Sequence, residues 1–356
     1  MDITFWQGKR VLLTGHTGFK GSWLSLWLQS MGVKLLGYAL HPPTNPSLFE
    51  VAHVTEGMTS VIGDITDYEH LRQVIADFRP EIVIHMAAQS VVRTSYLDPV
   101  TNYNTNVMGT VYLFEAIRQM GGVRAVINVT SDKCYDNREW VWGYRENDPL
   151  GGYDPYSSSK ACSELVSAAY RDSFFNPDHY ADHGVAVATA RAGNVIAGAD
   201  WTADGLIADI VRSLLQKQPI LIRNPHAIRP WQHVLDALNG YLTLAENLYN
   251  QGPAFAGAWN FGPYDSSIKP VGWIVEHMLS LWGEEASWEQ EQTSPFHESM
   301  SLSLDSAKAR FKLGWKPKLS LESALAQIVG WTKSYQAGED MRNVTVAAIQ
   351  QFMEID

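Results

Sequence analysis

Short apolar runs alternate with helical patterns along the first half of the chain. Residues 10–14 form a β-rich run, which a glycine-bearing segment separates from a helical pattern over 22–31. Further short apolar runs predict buried strands at 34–39, 60–63, 82–85, 125–130 and 185–190. Because buried strands that alternate with helices form parallel sheets, the pattern predicts an α/β fold with a doubly wound parallel sheet.

The regular alternation ends after the last of these predicted strands. Segments 223–231 and 259–267 carry proline, glycine and tryptophan between helical stretches. The change predicts a larger domain over 1–190 and a smaller C-terminal substrate domain over 191–356. We expect the helical stretch 234–249 to pack back on the first domain, so that the two domains interleave.

Composition and charge narrow the class of protein. The 356 residues are 46% hydrophobic and 18% charged, which is typical of a globular protein with a large core. The formal net charge of -11 argues against general affinity for nucleic acid and favours small-molecule partners. The apolar stretch 23–31 is shorter than the ~20 residues that cross a bilayer, which predicts no membrane partner.

Cysteine content and the N-terminal segment bear on the compartment. Cys134 and Cys162 are the only cysteines and lack metal-ligand spacing, so we expect no metal site and a reducing environment. The first strand begins too early for a secretory signal to precede it. A cytoplasmic protein is therefore expected.

The turn after the first strand carries glycines at positions 15, 18 and 21, in the segment T-G-H-T-G-F-K-G. Gly15 suits a tight turn, Gly18 permits close approach of a pyrophosphate, and Gly21 permits close packing of the next helix. The amide groups of that helix N-terminus attract phosphate. The turn therefore predicts a dinucleotide site, and its expected contacts are Gly15, Thr17, Gly18, Phe19, Lys20 and Gly21.

Two later strand ends extend the predicted cofactor groove. Asp64 and Ile65 follow the third strand, where Asp64 can accept a hydrogen bond from an adenine amine or, as an equal alternative, cap the next helix. Ala87, Ala88 and Gln89 follow the fourth strand, and small side chains let backbone lie against a cofactor. The second strand ends in Y-A-L-H without the usual acid, so NAD is expected and NADP stays open.

A hydroxyl residue and a tyrosine–lysine pair follow the fifth strand. Tyr156 and Lys160 are four residues apart in Y-S-S-S-K, which puts both side chains on one helix face. The Lys160 ammonium is expected to lower the pKa of Tyr156, normally ~10, so that the phenolate can take a hydroxyl proton. Ser131 stands at the strand end and can orient the same hydroxyl. These residues predict oxidation of an alcohol by hydride transfer.

Several of these segments together resemble the extended short-chain dehydrogenase/reductase family. The motifs are T-G-H-T-G-F-K-G, H-M-A-A-Q-S, N-V-M-G-T at 106–110 and Y-S-S-S-K, and the resemblance spans nearly the whole chain. It implies a Rossmann-type sheet, a cofactor contact at Asn106, and a homodimer through a four-helix interface of helices at 104–120 and 156–174.

Within that family, Ser131-Asp132-Lys133 resembles the site of sugar-nucleotide 4,6-dehydratases. The resemblance implies that Asp132 protonates the departing C6 hydroxyl and that residue 133 removes the C5 hydrogen after oxidation at C4. Most such enzymes have Glu at this position, and Lys133 is similar to the branch that acts on CDP-linked glucose. A plain local ion pair between Asp132 and Lys133 is the structural alternative.

The same resemblance suggests substrate contacts. Arg229 lies in R-P-W-Q-H-V, similar to the segment whose arginine meets the nucleotide diphosphate, and guanidinium geometry suits phosphate. Asn194 is similar to an asparagine that holds the sugar nucleotide, with a structural turn as the alternative. Ser90 and Arg93 follow the fourth strand and are expected near the sugar, although a solvated arginine is equally common.

The leading hypothesis is dehydration of a CDP-linked glucose, and the resemblance implies that the product serves deoxysugar assembly for a cell-surface polysaccharide. A 4-epimerase, or a dehydratase of a dTDP-, UDP- or GDP-linked sugar, is the alternative within the enzymes. A non-catalytic dinucleotide-binding regulator is the remote alternative, and an intact tyrosine–lysine pair and glycine turn argue against it.

Overall fold

The computed structural model describes residues 2–283, 286–290 and 301–355. Its strands are β1 (Arg10–Thr14), β2 (Lys34–Ala39), β3 (Thr59–Ile62), β4 (Ile82–His85), β5 (Ala125–Val129), β6 (Ala186–Ala192), β7 (Asn194–Ile196), β8 (Ile220–Ile222), β9 (Ile228–His233), β10 (Gly257–Phe261), β11 (Ile268–Pro270) and β12 (Trp288–Gln290). The six strands predicted from the apolar runs are all present, with ends shifted by at most two residues. Buried parallel strands are mostly apolar, which makes them visible as apolar runs in the sequence.

Seven strands form one parallel sheet in the order β10-β6-β5-β4-β1-β2-β3. The chain starts at β1, winds outward to β3, and then returns to β4 on the other side of β1. The strand order therefore reverses beside β1, and ligands of such sheets bind outside the carboxyl ends of the strands at that point. The predicted doubly wound parallel sheet is confirmed.

Fifteen α-helices lie within the described residues, and several of them cover the two faces of the sheet. They are α1 (Ile3–Trp6), α2 (Phe19–Ser30), α3 (Leu48–Val51), α4 (Tyr68–Phe78), α5 (Val92–Leu97), α6 (Pro99–Tyr103), α7 (Gly109–Met120), α8 (Pro155–Ser173), α9 (Tyr180–His183), α10 (Leu206–Gln216), α11 (Val234–Gln251), α12 (Val271–Trp282), α13 (Ala307–Leu313), α14 (Leu321–Gln336) and α15 (Met341–Glu354). Side chains of β1 alternate, so that Val11 and Leu13 join the core beneath α2, α11 and α15, and Leu12 joins the core beneath α4 and α7. Trp23 and Trp27 of α2 are buried in the first core.

A second core lies outside the main sheet. Helices α10, α12 and α14 pack around β8 and Trp231 of β9. Strands β7, β9 and β11 form a small sheet, and β8 pairs with β12. Helix α11 packs against β5 and β6, and β10 lies beside β6 in the main sheet. These contacts cross residue 190, and the division of the chain into two domains there stays a prediction. Within the described ranges, no helix is long and apolar enough to span a membrane.

Candidate active site

The geometry of the glycine turn requires glycine at positions 15 and 21. Gly15 has φ +77°, and a Cβ there would lie 2.7 Å from the Ala87 nitrogen. A Cβ on Gly21 would lie 2.0 Å from the Gly15 oxygen, so helix α2 approaches the turn too closely for any side chain. Gly18 differs, because its Cβ would make only an ordinary 3.5 Å contact. Packing within the chain therefore leaves room beside Gly18, where α2 begins.

The other turn residues have distinct surroundings. The Thr17 hydroxyl donates to the Leu40 carbonyl at 2.8 Å, which closes the turn against the end of β2. Burial lowers the pKa of Lys20 to about 8, while the charge of Asp132 acts in the opposite direction. Phe19 is half-buried at the start of α2. Lys20 thus extends from the glycine turn toward the predicted catalytic segment.

The third strand end is a local turn. Asp64 Oδ1 accepts from the Thr66 amide and hydroxyl, each at 2.8 Å, and the helix α4 is capped by Asp67 instead. Ile65 is buried and lies where a Cβ on Gly109 would approach it at 2.7 Å. The structure therefore rules out Asp64 as the cap of α4 and leaves its cofactor contact as a prediction.

Gln89 and Asn106 brace the loop after β4. The Asn106 side chain accepts from the Gln89 amide at 2.9 Å and donates to the Gln89 carbonyl at 3.0 Å. Its amide group also reaches Ser159 on α8 at 2.8 Å. Asn106 lies in a π-helical turn (Asn104–Met108), a feature often found at functional sites. Through this residue the loop that contains Ala87 and Ala88 is tied to the helix that carries Tyr156.

The Ser131-Asp132-Lys133 segment forms one short turn after β5. Ser131 begins the turn by accepting from the Lys133 amide at 3.2 Å. Asp132 Oδ1 then accepts from both neighbours, from Ser131 Oγ at 3.0 Å and from Lys133 Nζ at 3.3 Å. The Asp132 side chain is 2% exposed and the Lys133 side chain 35%. An acidic and a basic group are thus in hydrogen-bond contact, one buried and one facing open space.

Tyr156 and Lys160 lie on the buried face of α8. Asp154 caps this helix by accepting from Ser157 at 2.9 Å, and the Tyr156 amide donates to Ser95 Oγ at 3.1 Å. Burial raises the pKa of Tyr156, and a hydrogen bond with Ser131 partly opposes this rise. Burial lowers the pKa of Lys160 to about 8, and its Nζ donates to the Val129 carbonyl at 3.3 Å.

The direction of the Tyr156 shift is opposite to the one expected from the sequence. The four-residue spacing of Tyr156 and Lys160 predicts that the Lys160 charge lowers the pKa of Tyr156. In the protein the cost of placing a phenolate away from water is larger, and it favours the neutral phenol. The spacing of the pair predicted their common helix face but not their degree of burial.

A cavity of about 1000 Å³ opens beside these groups. It brings together six predicted residues that are far apart in the sequence: Ser90, Arg93, Asp132, Lys133, Asn194 and Arg229. Ser131, Tyr156 and Lys160 are buried behind its Asp132 wall, and the glycine turn is not part of its lining. The predicted catalytic turn and substrate contacts therefore share one space.

Three further residues of the site escaped the sequence analysis. Arg223 lines the cavity, and Asp204 Oδ1 lies 3.0 Å from Arg93 Nη1 and 3.6 Å from Arg223 Nη1. A Cβ on Gly193 would lie 3.2 Å from Asp132 Oδ2, so this glycine leaves space for the acid. The segment 223–231 attracted notice for its proline and tryptophan, but no local signal marked Arg223.

Comparison with known proteins identifies the class. The family model described as "GDP-mannose 4,6 dehydratase" matches residues 12–328. The chain belongs to this family and has the fold of extended short-chain dehydrogenases/reductases.

One curated relative is much more similar. The CDP-glucose 4,6-dehydratase of Salmonella typhimurium is 56% identical over 353 residues, which cover 99% of this chain and 98% of that protein. A dTDP-glucose 4,6-dehydratase of Streptomyces griseus is 29% identical and covers 77% of each chain. A solved dTDP-glucose 4,6-dehydratase of Streptomyces venezuelae, with NAD bound, superposes with a TM-score of 0.77 at 23% identity, covering 93% and 99%.

Proposed function

We propose that this protein is an NAD-dependent lyase that removes water from CDP-glucose and forms CDP-4-keto-6-deoxyglucose. The observation that carries the proposal is the Asp132–Lys133 pair in the cavity wall of a chain 56% identical to a CDP-glucose 4,6-dehydratase over almost its full length. The product is a precursor for deoxysugars of a cell-surface polysaccharide such as O-antigen.

The glycine turn fits a dinucleotide. The free space beside Gly18 and the first amides of α2 suit a pyrophosphate, while Gly15 and Gly21 bring the backbone close enough to form the cradle. Bound at this cradle, NAD would supply reversible hydride acceptance, which serves oxidation at C4 and reduction at C6 without net redox change.

The buried groups on β5 and α8 carry out the proton transfer at C4. Ser131 orients the C4 hydroxyl, and Tyr156 takes its proton. Tyr156 accepts this proton in its phenolate form and becomes the phenol, although burial of the side chain disfavours the phenolate. The positive charge of the Lys160 ammonium, one helical turn away, offsets part of that cost by stabilising the phenolate. A carbonyl at C4 then acidifies the hydrogen on C5.

The Asp132–Lys133 contact supplies the acid and the base for water loss. An ion pair and its neutral form, protonated Asp132 beside neutral Lys133, contain the same number of protons. Transfer of a proton from Lys133 to Asp132 along the 3.3 Å hydrogen bond therefore produces the acid and the base together. Lys133 then removes the C5 proton and Asp132 protonates the departing C6 hydroxyl.

The far side of the cavity suits the nucleotide diphosphate. Arg93, Arg223 and Arg229 line it, and guanidinium groups bind phosphate oxygens in bidentate fashion. We propose that Arg223 and Arg229 hold the diphosphate and that Asn194 and Ser90 contact the sugar nucleotide. Asp204, which binds two of these arginines, keeps them oriented toward the cavity.

The test is a substrate panel. Purified protein is incubated with NAD and, in separate reactions, with CDP-, dTDP-, UDP- and GDP-linked hexoses, and each nucleotide sugar is analysed by mass spectrometry and NMR. Loss of the mass of one water from CDP-glucose alone is the expected result. Unchanged mass with inverted configuration at C4 would make the protein an epimerase, and no reaction would favour the regulator.

A pair of glycine variants tests the cofactor site. Gly18→Ala is expected to unfold in urea as the wild type does but to bind NAD at least about 10-fold more weakly, because its methyl group occupies the pyrophosphate space. Gly21→Ala is expected to lose about 1–3 kcal/mol of stability through overpacking against Gly15. Calorimetry and urea unfolding measure both effects. Unchanged NAD affinity in Gly18→Ala would reject this placement of the pyrophosphate.

We also propose a homodimer. Met108, Met120, Leu165 and Phe174 are exposed apolar side chains within the two helical segments expected to form the interface. Sedimentation equilibrium should give twice the chain mass, and a monomeric mass would reject the proposal.

A cytoplasmic location agrees with the two free cysteines, and fractionation of the cells that express the protein tests it.

A further inference from the structure

A buried ion pair lies behind the strand that leads to Ser131. Arg191 of β6 and Glu164 of α8 have side chains 3% exposed, and Arg191 Nη2 lies 2.7 Å from Glu164 Oε2. Burial would lower the pKa of Arg191, but the hydrogen bond and charge of Glu164 raise it above its usual value. Neither residue lines the cavity. A charged pair kept from water and from substrate acts through the groups it touches.

Glu164 holds the near end of the catalytic turn. Its Oε1 accepts from the Thr130 hydroxyl, and its Oε2 accepts from Thr189 Oγ1 at 2.7 Å. Thr130 comes directly before Ser131, and its amide donates to the Ala190 carbonyl at 3.0 Å. The position of Ser131 is therefore set by the sheet and by α8 together.

Arg191 holds the far end of the same turn. Its Nη1 donates to Tyr135 Oη at 2.7 Å, and Tyr135 in turn donates to Asn260 Oδ1 at 2.8 Å. The guanidinium lies 4.9 Å from the centre of the Tyr135 ring, whose other neighbour is Tyr144, stacked at 5.1 Å. Tyr135 comes directly after the turn Asp132–Cys134.

We propose that Glu164, Arg191 and Tyr135 are positioning residues of this turn. Glu164 holds Ser131 in place for C4 oxidation, and Arg191 with Tyr135 holds Asp132 and Lys133 at the distance from the sugar that water loss requires. The inference rests on the proposed function. The two ends of the turn are not equivalent, because Ser131 stays fixed by the sheet when the Tyr135 end is released. Loosening Tyr135 should therefore slow water loss much more than C4 oxidation.

The variant Tyr135→Phe removes the hydroxyl but keeps the ring and its stacking. In single turnovers with NAD and CDP-glucose, quenched samples are analysed by mass for the 4-keto sugar that has lost two hydrogens and for the product that has lost water. C4 oxidation is expected within about 3-fold of the wild-type rate and water loss about 10- to 100-fold slower, so the keto intermediate accumulates. Equal slowing of both steps, or no change in either, would overturn the inference.

Controls separate this effect from loss of fold and from failure of the proposed function. Tyr68→Phe deletes another hydroxyl shielded from solvent, one without a hydrogen-bond partner in the described part of the chain, and both steps should keep their rates. If urea titrations show that Tyr135→Phe does not fold, Thr130→Val is tested instead. It should slow C4 oxidation, and Thr130→Ser, which keeps the hydroxyl, should restore the rate of that step. This inference alone is overturned if the wild type dehydrates CDP-glucose and both Tyr135→Phe and Thr130→Val keep the wild-type ratio between the rates of C4 oxidation and water loss. A wild type that removes no water overturns both.

Discussion

Tyr156→Phe should lower the rate of C4 oxidation by about 10²–10⁴-fold, the range that general acid–base groups contribute. Tyr156 lies buried beside Ser131, and its phenol oxygen is the group assigned to the C4 hydroxyl proton. Phenylalanine keeps the ring that packs there and removes that oxygen. Neither keto sugar nor dehydrated product should form in quenched turnovers with CDP-glucose.

The matched control for this variant is Tyr170→Phe, on the same helix. The Tyr170 ring stacks on Phe114 at 5.3 Å, on the face of α8 that packs against α7 and away from the cavity lining. Removal of the Tyr170 hydroxyl should leave the rate of C4 oxidation near that of the wild type. Turnover at the wild-type rate by Tyr156→Phe would show that Tyr156 is not the group that takes the C4 hydroxyl proton.

Lys133→Ala should divide the reaction at its middle. C4 oxidation depends on Ser131, Tyr156 and Lys160 and should continue, whereas removal of the C5 proton should slow by about 10²-fold or more. The 4-keto hexose should therefore accumulate without loss of water. Exchange of the C5 hydrogen with deuterium from the solvent, followed by NMR, measures the proton removal itself and should also be lost.

Two further variants serve as controls for Lys133→Ala. Lys312→Ala removes an exposed lysine on α13 and should have no effect on either step. Lys133→Glu restores a group that can accept a proton and should remove water faster than Lys133→Ala. Unimpaired product formation by Lys133→Ala would reduce the Asp132–Lys133 contact to a local ion pair and move the C5 base elsewhere.

Local sequence patterns specify much of this fold because their physical causes are local. A buried parallel strand is mostly apolar, so each of the six predicted strands contains an apolar run in the sequence. The close approach of Gly21 to Gly15, and the spacing of a tyrosine and a lysine one helical turn apart, are likewise constraints between near neighbours. The turn that holds Asp132 and Lys133 is also three residues long.

Other features depend on contacts between residues distant in the chain, which no local pattern records. Strand β10 joins the sheet beside β6 although about 60 residues separate them in sequence. Asp204 meets Arg93 across 111 positions, and Arg191 reaches Tyr135 across 56. The pKa of Tyr156 shifts in the direction that burial dictates, because burial is a property of everything packed around a group. Chemical roles were thus predictable where neighbours in sequence carry them, whereas positions, charges and anchors follow from the tertiary packing.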